Sequence, residues 1–178
     1  NVVMAMMIRD LAMNPVLAIL IGIAMTTAIG WFNGFAISKT GIPPLIATLA
    51  MQTALRGLSF ILSKGRPVYG IPDSIKFIGQ GYVFGVIPIP GLILAAAIVF
   101  GIVLLNKTYL GRHFYALGSN PEATRLSGIN IHFTRTMTYT LNGFLTGIAA
   151  LVMVTRVGSG QPNAADGFEM NVLTAAVL

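Results

Sequence analysis

Apolar residues run along this chain in four long blocks, each about the length of one membrane crossing. Leu17 to about Ile37 is apolar throughout and follows Asn14-Pro15, a pair that suits a helix start. Pro43 to about Leu62, Ile87 to Leu105, and Met137 to about Thr155 repeat the pattern. About 20 such residues form a helix that crosses a hydrocarbon core of about 30 Å. Spans are therefore predicted over about 15–37, 43–62, 87–105 and 137–155. The first break is Ser38-Lys39-Thr40-Gly41. The second, 63–87, is rich in Gly and Pro, and in it Asp73 can cap a short surface helix through Phe77. Residues 156–167 are polar and irregular, and Asp166 with Glu169 resembles a capping box ahead of the apolar run Met170–Leu178. That run predicts the start of a further helix, either a fifth span or a re-entrant half-span. The expected architecture is all-α: a polytopic transmembrane helix bundle in a single domain.

Small and polar residues inside the blocks refine this picture. Gly30 and Gly34 lie four apart, as do Gly143 and Gly147, a spacing that lets helix backbones approach closely in lipid. Thr48, Gln52 and Arg56 also lie four apart and share one stripe of the second helix. An arginine in a membrane segment costs at least about 2.5 kcal/mol and normally faces protein or water. Arg56 lies within two turns of its helix end, so it either snorkels to the headgroups, pairs structurally, or serves a solute path. Thr48, Gln52, Arg56 and the polar break Asn142 form the candidate translocation path.

The third break, 106–136, is a polar loop with one short helix predicted over 121–127. Asn120 can cap its free N–H groups, and Pro121 fits the first turn. Glu122 suits the positive end of the helix dipole and Arg125 the last turn. Ala123 and Leu126 are its apolar residues, and Gly128 can take the left-handed position that closes it. About two turns are too short to be stable alone in water. Such a helix persists where something holds or binds it, so two readings stand: a docking element for a partner, or an interfacial helix.

Composition separates function classes. Of the 178 residues, 55% are hydrophobic and only 9% charged, against about 25% charged in soluble domains, which makes this an integral membrane protein. Without cysteine, disulfides and thiolate metal sites are excluded. The net charge of +6 comes from Lys and Arg scattered through loops, which fits contact with membrane lipid rather than nucleic acid. If 106–136 is cytoplasmic, Lys39, Lys107, Arg112, Arg125 and Arg135 lie inside, and Arg9, Lys64, Arg66, Lys76 and Arg156 lie outside. Five against five leaves orientation open on charge alone. The chain begins at Asn1 and stops at Leu178 within an apolar run, so a fragment is expected. No Asp or Glu falls in the four spans, which weighs against proton- or sodium-coupled transport. His113 and His132 lack partners at metal-ligand spacing, and no phosphate-binding loop, Gly-x-Ser-x-Gly or His-Glu-x-x-His occurs. No catalytic residue, metal or cofactor is expected, so active transport would draw its energy from another subunit. A stand-alone secondary transporter or channel is the alternative.

Several stretches, in order, carry a family resemblance. They are Gly41-Ile42-Pro43-Pro44-Leu45-Ile46-Ala47-Thr48-Leu49 with Arg56-Gly57-Leu58, Gly65-Arg66-Pro67, and Ala116 through Asn130. Gln161-Pro162, Gly167-Phe168-Glu169-Met170 and Ala175-Ala176-Val177 follow. Together they resemble the membrane permease subunit of ATP-binding-cassette importers for simple sugars such as ribose, xylose and arabinose. The resemblance implies a multi-pass protein of the bacterial inner membrane and a second permease subunit, identical or not. It also implies a separate ATP-binding-cassette ATPase subunit and a periplasmic sugar-binding protein. It puts 106–136 in the cytoplasm and makes Asn120, Pro121, Glu122, Ala123, Arg125, Leu126 and Gly128 the ATPase-docking loop.

Overall fold

A computed structural model describes residues 1–11, 13–83 and 85–177; Leu178, the last residue of the expected apolar run, lies outside them. Four long apolar helices carry the architecture: α2 (Pro15–Thr40), α3 (Pro44–Ser63), α5 (Ile89–Lys107) and α8 (Ile131–Val157). They are joined by α1 (Val2–Asp10), α4 (Asp73–Gln80), α6 (Tyr109–Ser119), α7 (Pro121–Leu126) and α9 (Phe168–Val177). Two antiparallel pairs complete the described elements: β1 (Val68–Tyr69) with β4 (Ser159–Gly160), and β2 (Tyr82–Val83) with β3 (Ile87–Pro88). The protein is an all-α polytopic bundle, as the hydropathy blocks predict.

The central pair is α2 with α8, packed antiparallel. Gly30 on α2 meets Gly143 and the Tyr139 carbonyl, and Gly34 meets Thr136. Thr26 lies against Gly143 and Gly147, and the Ser38 hydroxyl donates to the His132 carbonyl at 3.3 Å. Of the two glycine pairs noted in the sequence, Gly30 and Gly143 therefore face one another, while Gly34 and Gly147 each receive non-glycine residues of the other helix. A Cβ on Gly34 would lie 2.7 Å from the Thr136 Cα, and one on Gly143 would lie 2.5 Å from the Thr26 carbonyl oxygen. Neither fits without moving a backbone. By contrast, α5 buries no residue and α3 only Ser63.

The buried core lies at one end of this pair. Val2, Ala5 and Ile8 of α1 pack with Ala18, Val68, Ile71, Ile75 and Val154. The Asn1 side-chain amide donates to the Gln161 carbonyl at 3.1 Å, and Gln80 Nε2 donates to the Arg156 carbonyl at 2.9 Å. Thus α1, the 68–80 segment and the end of α8 form one small cap. The opposite end carries α6 and α7.

Three expectations change. Residues 106–136 are mostly helical: α6 occupies 109–119, and α8 begins at Ile131 rather than near 137. The polar residues His132, Thr134, Arg135 and Thr136 hid this start. At 27 residues, about 40 Å, α8 extends beyond a core of about 30 Å, so its first turns need not be apolar. Next, Asp73 is the first residue of α4 rather than its cap, since Pro72 occupies the cap position. Its carboxylate pairs with Lys76 at 2.7 Å, which holds it below the usual carboxylate range. Lastly, Asp166 pairs with Arg56 Nη1 at 2.8 Å, across to α3.

Candidate functional site

Two places gather the polar side chains singled out in the sequence. The first is α7. Asn120 Oδ1 accepts from the N–H groups of Glu122 and Ala123, both at 3.0 Å. Pro121 fills the first helical position. At the other end Gly128 takes φ +80°, a left-handed conformation that glycine adopts without a Cβ penalty. The Gly128 N–H then bonds the Arg125 carbonyl, and the Ile129 N–H the Thr124 carbonyl. Both ends of this six-residue helix are thus closed by local hydrogen bonds, and its last residue is Leu126.

α7 is fixed to the rest of the chain through one face. Thr124 is buried and its hydroxyl donates to the Asn120 carbonyl at 2.8 Å. Pro121, Glu122, Ala123, Arg125 and Leu126 are exposed, and Leu126 shows 80% of its surface. Among the described residues neither Glu122 nor Arg125 enters an ion pair. The helix therefore presents an acid, a base and a large apolar side chain outward together. Thr124, the seat of the helix, was absent from the sequence candidates. Its only sequence signal is its position four residues after the cap, where a hydroxyl can bond back to the i−4 carbonyl. Asn120→Ala would leave two N–H groups without their acceptor, at about 1 kcal/mol. Hydrogen exchange of the Thr124 and Ser127 amides is expected to speed up about fivefold; unchanged exchange would show that the cap does not hold α7.

The second place is the stripe of α3. Thr48, Gln52 and Arg56 are half-buried. The Thr48 hydroxyl is turned back onto its own helix, donating to the Pro44 carbonyl at 3.0 Å. Arg56 reaches Asp166. Glu169, in the first turn of α9 and outside the four long helices, has its carboxylate held below the usual range. Its own backbone N–H contributes most, and the Gln52 side chain and the Arg56 charge add to it, against the opposing effect of desolvation. Gln52 and Arg56 thus meet two acids that the sequence had placed in a separate cap. Asn142 is not brought to this cluster: it is exposed on α8, whose main neighbours are α2 and α4. No local pattern links residue 56 to residue 166; the pairing depends on how the chain returns after α8.

Over residues 1–178 the chain matches the family described as branched-chain amino acid transport system / permease component, and it belongs to that family. This makes it a multi-pass protein of the bacterial inner (plasma) membrane. Among its relatives, the ribose import permease protein RbsC of Bacillus subtilis is 38% identical over 93% of this chain and 52% of its own length. The L-arabinose transport system permease protein AraH of Escherichia coli is 43% identical over 82% of this chain and 44% of its own length. The autoinducer 2 import system permease protein LsrC of Klebsiella pneumoniae is 36% identical over 84% and 43%. The chain spans about half the length of these curated relatives. No solved structure matches it.

Proposed function

We propose that this chain is part of the transmembrane permease subunit of an ATP-binding-cassette importer for a monosaccharide of the ribose type. A separate ATPase subunit drives the transport. The observation that carries this is α7: a helix capped at both ends, seated by Thr124 and presenting Glu122, Arg125 and Leu126 outward, in a chain whose relatives are named as ribose and arabinose permeases. A six-residue helix is not stable by itself in water, and its exposed face suits a groove on an ATPase. In this reading α7 is cytoplasmic, and the cap formed by α1, α4 and β4 faces the periplasm, where a sugar-binding protein delivers the substrate. A second permease subunit completes the path, and Thr48, Gln52, Arg56 and Asn142 line it. The ATPase supplies hydrolysis, so this chain needs no catalytic group.

The test is uptake of labelled ribose, arabinose and leucine by a strain lacking its own ribose permease. The strain expresses the full permease with its ATPase and binding protein. Pentose uptake that requires the ATPase is expected. Gln52→Ala and Asn142→Ala are each expected to lower it several-fold while the subunits still assemble. Uptake without the ATPase would point to a stand-alone transporter, and uptake of leucine instead would overturn the substrate class. Normal uptake in both variants would remove Gln52 and Asn142 from the path.

A further inference from the structure

A cleft of about 490 Å³ opens between the end of α2 and the start of α8, lined by Phe35, Ser38, Lys39, His132, Phe133 and Thr136. It lies on the same side of the bundle as α7. Phe35 and Lys39 of this lining continue a stripe that runs out of the cleft along α2 to Trp31, each residue four from the next. The Trp31 and Phe35 rings stack at 5.5 Å between centroids, 13° from parallel. The Lys39 ammonium sits over the Phe35 ring at 5.5 Å. Trp31, Phe35 and Phe133 are exposed, although they are large and aromatic. The floor is fixed, because the Ser38 hydroxyl is held on the His132 carbonyl and the Thr136 hydroxyl donates to that same carbonyl at 2.8 Å.

The chemistry is ordered by depth. α2 has 26 residues, about 39 Å, against a hydrocarbon core of about 30 Å. Lys39, one residue from its end, therefore lies at headgroup level, where cations meet lipid phosphates. Trp31, eight residues earlier, lies about 12 Å deeper, among acyl chains. A ligand that fits both ends has an anion at the surface and a long apolar tail running inward along two stacked rings. No acid is among the cleft's lining residues, so nothing there repels an anion. We infer that this cleft is a binding site for one anionic phospholipid, with its phosphate at Lys39 and His132 and an acyl chain against Phe35 and Trp31.

Trp31 is the only tryptophan of this chain, which makes it a reporter. The full permease is placed in phosphatidylcholine nanodiscs containing phosphatidylglycerol or phosphatidylcholine brominated at mid-chain. The Trp31 signal is taken as the difference from Trp31→Phe. Half-quenching is expected at a several-fold lower mole fraction of brominated phosphatidylglycerol than of brominated phosphatidylcholine. Lys39→Gln and His132→Gln, both at exposed positions, are expected to reduce that preference, while Lys64→Gln at the opposite end leaves it intact. Equal quenching by the two lipids, or a preference that survives Lys39→Gln, would overturn the proposal. So would absence of quenching by either lipid, which would mean that protein covers the cleft. Loss of the preference on adding glycerol phosphate would assign the site to a free phosphate compound instead.

Discussion

Replacing Gly30 or Gly143 by leucine is expected to separate α2 from α8 and to produce the largest stability loss of any single substitution in the long helices. At Gly30 a side chain would run into the Tyr139 carbonyl, with the Gly143 Cα 3.0 Å from its Cβ. At Gly143 it would meet the Thr26 carbonyl oxygen at 2.5 Å. These neighbours are backbone atoms within helices, so no rotamer change relieves the clash. Overpacking a core costs about 1–3 kcal/mol, and the upper end applies where backbone must move. That is a large share of a typical total stability of about 5–15 kcal/mol. Close backbone approach is also what holds transmembrane helices together, since lipid supplies no hydrophobic drive between them. Thermal unfolding in detergent measures the effect. Gly101→Leu on α5, where a Cβ meets nothing within 4 Å, is the control and is expected to melt like the parent. Equal melting of all three variants would show that the α2–α8 crossing does not hold the bundle.

The second large effect concerns partner association rather than stability. Under the proposed docking, Leu126→Asp is expected to weaken binding of the ATPase subunit by at least about thirtyfold, the equivalent of about 2 kcal/mol for a truncated interface anchor. Reversing both charges, Glu122→Lys with Arg125→Glu, is expected to weaken it by at least about tenfold, because like charges then oppose at contacts that were complementary. All three positions are exposed, so the permease itself should melt unchanged. Co-purification with the ATPase and uptake of substrate are the measurements. Unchanged association and uptake in both variants would reduce α7 to an interfacial helix.

The four long helices were legible because each carries a mostly apolar stretch long enough to cross a membrane, and length is a local property of sequence. The ends of α7 were legible for a similar reason, since Asn120 and Gly128 act on their own neighbours. The facing of Gly30 with Gly143 was half-legible: spacing marked both as contact positions, but nothing local could pair them. What stayed hidden depends on distance in sequence. α1 is nine residues whose partners Val68, Ile75 and Val154 come from remote segments. β1 and β4 are two residues each and exist only through one another. The stripe Thr48, Gln52, Arg56 was visible as a stripe, while its acids, Asp166 and Glu169, looked like a helix cap because three residues separate them. Thr124 looked like an ordinary helix residue, since burial is not written in residue type.

The cap at the end of α2 and α8 also sets an order of assembly. Val2, Ala5 and Ile8 are buried against residues that include Val154, and Gly160 closes over Ala5. A ribosome working at about 5–20 residues per second reaches those partners on the order of ten seconds after making α1. In that interval all four long helices emerge while the apolar face of α1 waits without its cover. The cap is therefore the last part of this region to close, because its cover comes from both ends of the described chain.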